Sequence, residues 1–344
     1  MSIKQKLATI AAAFMRISNR WIQRVQGYWP TSDEIENNRV KSLANRLKAG
    51  SCKETLTNIL EWQERNIVFW NERHPVPTVL FCAGLISILS FIFGLPIIIF
   101  LIIRNIQPLS LLSWFVVIWF VMLVSSIATT LTITIWIIHS NRKIPLKQGL
   151  KNVFVPSIPM NTLLENKLGV CRDYAKLTAC LLSNICPNEE IYFAHAPGHI
   201  ATGIKIENKL YMLDQRLPIL TIDKWDNYRH LKKIERFARN SPKRVDTNSF
   251  LSTTKTTSLD TEKLAVTMTN LLKVKERTGD KAVSVLEIPW KKGAILYEDN
   301  EMVNYSLARL LKTKISSELI RIDQITRIEI NRHKDDLMFL IHFS

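Results

Sequence analysis

The stretch Gly169-Val170-Cys171-Arg172-Asp173-Tyr174-Ala175 decides how this chain is read. Gly169 allows a tight entry, and from Cys171 onward Ala175, Leu177, Ala179, Leu181 and Leu182 favour a helix, so Cys171 falls at a helix N-terminus. Free backbone N–H groups and the helix dipole favour negative charge there, which suits a thiolate nucleophile. Such a nucleophile needs a base, and the base needs an acceptor on its second nitrogen to orient it. Both residue types follow. The alternating segments 199–206 and 210–214 predict a hairpin around Glu207-Asn208-Lys209. A two-residue turn pairing Ile206 with Lys209 sets Asp214 opposite Ala201, which makes His199 and Asp214 diagonal neighbours on one face. Cys171, His199 and Asp214 are therefore the candidate catalytic residues.

Other groups nearby have competing readings. His195 rivals His199 as the base, although it precedes Pro197-Gly198 and need not share the hairpin face. Asp173 reads as a first-turn residue suited to the helix dipole or to an ion pair. Cys180 and Cys186, taken with His195 and His199, are a poor metal set, because C-x5-C does not match zinc spacing and Cys180 lies in an apolar helical pattern. No cofactor and no metal are expected.

Away from this region the chain divides sharply by composition. Of 344 residues 47% are hydrophobic and the formal charge is +16, yet 75–103 and 105–141 contain no charged residue, with Arg104 alone between them. Each run is long enough to cross about 30 Å of hydrocarbon, so a two-helix transmembrane hairpin is expected over 75–141. Arg65, Arg73, Arg142, Lys143, Lys147 and Lys151 flank the pair against Arg104 in the connection, which predicts a two-span cell membrane protein with its folded part and both termini cytoplasmic. Neither run carries an acidic or basic residue along a pathway, so the lipid bilayer is expected as a partner and transport is not. The short apolar stretch 7–15, followed by Arg16, Arg20 and Arg24, does not read as a cleaved secretory signal. Five cysteines without a CxxC argue against a disulfide framework. The basic excess is spread as solvated clusters such as Lys232-Lys233 and Lys291-Lys292, and no nucleic-acid motif occurs, so no nucleic acid is expected as partner.

Before the apolar runs, Ile3, Leu7, Ile10, Phe14, Ile17 and Trp21 recur at helical spacing among basic residues, predicting a helix that lies on an anionic leaflet or packs on the folded part. Helices are expected over 33–48 and 53–71. After Pro145 the pattern is mixed: a strand near 191–194, a Ser/Thr-rich stretch over 241–261, then helices near 264–275 and 301–314 and extended segments near 283–290, 325–330 and 337–343. The tail is either a small α+β unit or the flank of the main domain.

Gly-Val-Cys-Arg-Asp-Tyr-Ala at 169–175, a glycine-preceded His199, and Tyr-Met-Leu-Asp ending at Asp214 together resemble the core of the transglutaminase-like superfamily, which is related to papain-like cysteine peptidases. Leu-Asp-Gln-Arg-Leu-Pro-Ile at 213–219 and Ile-Leu-Glu-Trp-Gln-Glu-Arg-Asn-Ile at 59–67 are similar to an archaeal, membrane-associated branch of it. The resemblance implies Cys171 as nucleophile, His199 as base and then acid, and Asp214 as orienting acceptor. It also implies that the helix at 53–70 packs behind the cysteine helix, so that the apolar hairpin interrupts one domain. Where many members follow the histidine with Ala-Trp, this chain has Ile200-Ala201.

The fold expected is α+β: a transglutaminase-like, papain-like core with an inserted two-helix transmembrane hairpin. Its parts are a basic amphipathic helix (1–32), a helical part of the catalytic domain (33–74), the hairpin (75–141), the catalytic core (142–240), a Ser/Thr-rich linker or loop (241–261) and a C-terminal α+β region (262–344). The function expected is membrane-anchored, thiol-dependent acyl transfer on amide or peptide bonds of a protein or peptide substrate, with hydrolysis preferred over transamidation. The alternative is a catalytically silent module of the same fold that binds or scaffolds at the membrane.

Overall fold

The computed structural model describes residues 27–70, 158–237, 243–246, 250, 259–274 and 284–344, together with scattered positions between 89 and 132. The chain divides into two units: Phe69–Ile158 with Thr162–Val170 form one, which interrupts the other.

In the larger unit three helices come first: α1 (Ser32–Ile35), α2 (Asn38–Leu47) and α3 (Cys52–Asn66). Each start is fixed by a side chain that accepts an otherwise orphaned N–H: Thr31 in a capping box with Glu34, Asn37 for α2, and Ser51 for α3. The Asn37 cap splits into two the single helix expected over 33–48. Helix α4 (Met160–Asn166), which from Thr162 onward belongs to the other unit, precedes α5 (Cys171–Ile185) of the larger one. Six antiparallel strands then make the main sheet: β1 (Glu190–Ala196), β2 (His199–Ile206), β3 (Lys209–Leu213), β4 (Leu220–Thr221), β5 (Lys233–Arg236) and β6 (Lys243–Val245), in the order β4-β3-β2-β1-β5-β6. The outermost strand, β6, lies within the Ser/Thr-rich stretch, and helix α6 (Ile222–Arg229) links β4 to β5.

The β2–β3 hairpin has the expected register, Ile206 opposite Lys209 and Thr202 opposite Leu213. Its two-residue turn, Glu207 and Asn208, has φ of 48° and 65°, the type I′ geometry whose twist matches the strands. At the other end Pro197 and Gly198 (φ 66°) join β1 to β2, with Pro fixing the first turn position and Gly tolerating the left-handed second.

One face of this sheet receives α5: the buried Thr202 hydroxyl donates to the Ala175 carbonyl at 2.7 Å. Helix α3 lies along α5, where Tyr174 donates its hydroxyl to the Ile67 carbonyl and Gln63 donates to Thr178. Lys176, wholly buried on α5, is neutralised by Glu34 at 2.7 Å. The opposite face, with Ala194, Ala196, Ala201 and Met212, shares one core with Trp225 of α6 and the C-terminal region. That region is α7 (Thr261–Leu272), β7 (Ser284–Trp290), α8 (Gly293–Leu296), α9 (Glu301–Ser317), β8 (Ile325–His333) and β9 (Asp336–Phe343), the strands forming an antiparallel sheet ordered β8-β9-β7. The tail is thus a flank of the main core. Arg309 of α9 reinforces it from the helical side with two hydrogen bonds to the Glu61 carboxylate.

One expectation is corrected. Among the described residues no helix is long and apolar enough to cross a membrane, so the inserted transmembrane hairpin over 75–141 and the two-span membrane localisation are not supported. Spanning requires about 20 consecutive apolar residues in one helix. An apolar run reports only how much side-chain surface avoids water, and says nothing of whether its residues form one continuous helix. The described positions of this stretch are helical but scattered, and the indole of Trp119 packs so closely on Gly94 that a Cβ there would collide with the ring. The rest of 75–141, and residues 1–26 of the expected N-terminal amphipathic helix, lie outside the described residues.

Candidate active site

Cys171 is the first residue of α5 and is partly exposed. The chain is steadied just before it, where the Trp70 N–H donates to the Gly169 carbonyl at 2.9 Å. One turn after it, the Thr202–Ala175 bond ties α5 to β2 three residues beyond His199. A single buried hydrogen bond therefore references the thiol-bearing helix to the imidazole-bearing strand.

His199 opens β2 and Asp214 follows the last residue of β3, on the face that the hairpin register assigns to both. His199 Nε2 lies 2.6 Å from Asp214 Oδ1. The Cys171 thiol acts on the same imidazole as its second partner. The structure thus brings all three candidate residues together.

Two residues from α6 complete the surroundings. The Trp225 Nε1–H donates to Asp214 Oδ2 at 2.9 Å, and Arg229 Nη2 lies 3.3 Å from the same oxygen. They are four residues apart and so lie on one side of the helix. Trp225 is fully buried, and its ring is tilted 31° to the imidazole at 6.3 Å. Both carboxylate oxygens are occupied, which fixes the group in rotation and aims Oδ1 at the histidine.

Burial of the imidazole disfavours its cation, but the hydrogen bonds to Asp214 and Cys171 and the Asp214 charge outweigh that effect and the opposing charge of Arg229, pushing His199 up to about 9. Burial acts on Asp214 in the direction of protonation. The hydrogen bond and charge from His199, the charge of Arg229 and the Trp225 hydrogen bond overcome it and hold the carboxyl below its usual range. The favoured state is imidazolium beside carboxylate.

His195 is placed elsewhere. Its Nε2 pairs with Glu235 at 2.9 Å, and Glu235 also accepts from Tyr28 at 2.6 Å and from Lys233 at 2.9 Å. Asp173 is fully buried in the first turn of α5. Cys180 is enclosed in α5, and Cys186 lies near Cys52. Among the described residues no group of three or more His, Cys, Asp and Glu is placed to hold a metal ion. Flanking the three candidate residues, Arg172 Nε and Gln215 Nε2 are buried donors with no hydrogen-bond partner among the described residues, and Gln215 has a left-handed φ of 64°.

Trp225 and Arg229 carry no mark in the sequence beyond their spacing of four residues shortly after Asp214. The Ala-Trp absent after His199 has no substitute on that strand, and the indole at this site arrives from α6 instead.

A cysteine opening a helix, a histidine opening an antiparallel strand and a carboxylate closing the next strand define a class of thiol-bearing α+β domains. A family described as transglutaminase-like domain matches residues 38–240, more than half of the chain, and the chain belongs to that family. It is 28% identical over 333 residues to a UPF0252 protein of Methanocaldococcus jannaschii, covering 88% of this chain and 91% of that protein. A UPF0252 protein of Pyrococcus horikoshii is 47% identical over 62 residues, 17% of this chain and 20% of the relative. No solved structure gives a significant match.

Proposed function

We propose that this protein is a thiol-dependent acyl-transfer enzyme acting on amide or peptide bonds of a protein or peptide, with Cys171 as nucleophile, His199 as base and acid, and Asp214 as orienting acceptor. The observation that carries the reading is the position of His199, which lies 2.6 Å from Asp214 and is acted on by the Cys171 thiol. Membership of the transglutaminase-like family supports the same chemistry.

The steps follow from the groups in place. In the reactive form the Cys171 proton already resides on His199 as imidazolium, the sulfur attacks the carbonyl carbon, and the negative charge moves to the carbonyl oxygen near the first N–H groups of α5, Cys171's own among them. His199 then gives its proton to the leaving amine, and a thioester remains on Cys171. Water activated by the same histidine releases the acid and restores the thiol. An amine in place of water gives transamidation. Hydrolysis is the preferred outcome, since the strand after His199 lacks the tryptophan of many relatives in the superfamily.

An activated acyl ester with a chromogenic leaving group tests this. A burst stoichiometric with protein, a thioester mapped to Cys171, loss of the burst in Cys171→Ser and a rate lowered about 100-fold or more in His199→Ala are expected. Added primary amine should leave the free acid as the major product. A burst indifferent to both substitutions, or none at all, would reject the enzyme reading in favour of a silent binding module.

A further inference from the structure

Among the described residues the site uses one cysteine, and Cys180 is enclosed within α5, which leaves Cys52 and Cys186 without a role. Cys52 is the first residue of α3, and Cys186 is the first residue beyond α5. The two helices run antiparallel. Ile67 meets Tyr174 at one end, Gln63 meets Thr178 a turn further along, and the same alignment continued brings the start of α3, with Cys52, to the end of α5, within about a turn of Cys186. There the two thiols are near enough to act on each other, although they come from segments far apart in sequence. Cys52 is exposed and Cys186 partly so, and both are free. The pair lies at the end of the 15-residue α5 opposite to Cys171, about 22 Å along the helix.

We propose that Cys52 and Cys186 form a reversible oxidation site, a dithiol that a peroxide converts into a disulfide stapling the start of α3 to the end of α5. The partners have unequal tasks. The hydrogen bond from Cys52 favours the Cys186 thiolate, burial and Glu189 oppose it, and Lys48 adds to it, with the net effect of lowering the Cys186 thiol below its ordinary value. The same hydrogen bond, with burial and the charges of Cys186 and Glu189, pushes Cys52 up. Cys186 therefore attacks first. Its sulfur takes one peroxide oxygen as the O–O bond breaks, giving a sulfenic acid, while the other oxygen leaves as water or an alcohol with the proton the thiol gave up. Cys52 sulfur then attacks Cys186 sulfur, the S–O bond breaks, and the hydroxide leaves as water with the Cys52 proton. Two thiols lose two electrons and two protons in all, and the peroxide is reduced. Because α3 backs the helix that carries Cys171, the staple closes a loop spanning the whole interrupting unit and should raise the melting temperature of the oxidised chain by several degrees.

The test uses the full chain with Cys171→Ser, so that its outcome is independent of the proposed acyl chemistry. The protein is exposed to equimolar hydrogen peroxide near neutral pH, quenched with an alkylating reagent and mapped by peptide mass. Expected are one peptide pair joined through Cys52 and Cys186, lighter by two hydrogens, both thiols returned by dithiothreitol, and in Cys52→Ser a sulfenic acid trapped on Cys186. Oxidised protein in which Cys52 and Cys186 remain alkylatable, or in which the joined cysteines belong to different chains, would overturn the proposal. Should Cys52→Ser fail to fold, the peptide map with Cys52 intact decides between the same two outcomes.

Discussion

The substitution Asp214→Asn separates the electrostatic part of the candidate triad from its shape. In the native chain His199 is pushed up to about 9 from 6.5, so the imidazolium is more stable folded than unfolded. A group raised in this way contributes stability that is complete below pH 6.5 and is lost as pH rises through about 9. The free energy follows from proton binding: the folded state gains about 2–3 kcal/mol at pH 7 and almost none by pH 10, given about 1.4 kcal/mol for each tenfold change in proton affinity. His199 is only 13% exposed at its side chain, so little is lost to solvent screening. Asp214→Asn keeps a hydrogen-bonding partner for Trp225 and roughly the same volume, but burial and Arg229 then depress the imidazolium with far less to oppose them. Denaturant unfolding of both proteins in reductant, at intervals from pH 6.5 to pH 10, reads the difference. The gap between them should be about 2–3 kcal/mol near pH 7 and should shrink to under about 1 kcal/mol by pH 10. Two curves that stay parallel across that range would refute the reasoning, because a constant offset means that His199 carries no extra proton in the native state.

Three further outcomes follow from buried contacts. Trp225→Phe keeps most of the ring but deletes the 2.9 Å bond to Asp214, and the Cys171 acylation rate should fall about 5- to 30-fold, for a loss of about 1–2 kcal/mol of positioning, with the ester burst as readout. Thr202→Val is nearly isosteric, yet it leaves the Ala175 carbonyl without its 2.7 Å donor; a cost of about 1–2 kcal/mol is expected in denaturant unfolding. Lys176→Met strands Glu34 beside an apolar side chain and should cost about 3–5 kcal/mol, and adding Glu34→Gln should recover a large part of it, as a double-mutant cycle would show.

Legibility in the sequence followed the range of the interactions. The hairpin that aligns His199 with Asp214 is set by two turn residues and a period-2 pattern, all within sixteen residues, so its register and shared face were readable. Cys171 at a helix start was equally local, depending on Gly169 before it and helix formers after it. The long-range contacts left no comparable trace. Trp225 and Arg229 act through a short helix whose placement depends on the packing of β4 and the C-terminal core, and no pattern in 222–229 announces an indole aimed at a carboxylate. His195 is a plausible base until Glu235, forty residues on, claims its Nε2 through strand pairing. The Lys176–Glu34 pair is hidden for the same reason, since a lysine in an otherwise apolar helix face looks like a break in the pattern until its partner from α1 arrives.

The misjudged hairpin shows the opposite error, local composition read as long-range structure. A charge-free run of 29 residues and another of 37 satisfy any hydropathy window, and what hydropathy measures is a preference of side chains. The spanning inference adds a requirement that composition does not contain, namely one unbroken helix of sufficient length, and the described residues supply none. The related inference, that this stretch interrupts a domain instead of preceding it, used different information: the helix at 52–66 had to pack behind the helix at Cys171. That packing is present in the Gln63–Thr178 and Tyr174–Ile67 hydrogen bonds, and the chain does divide with the 69–158 segment set between them. A pairing between two helices is a statement about contacts, and contacts are what a fold consists of, whereas a composition threshold is not.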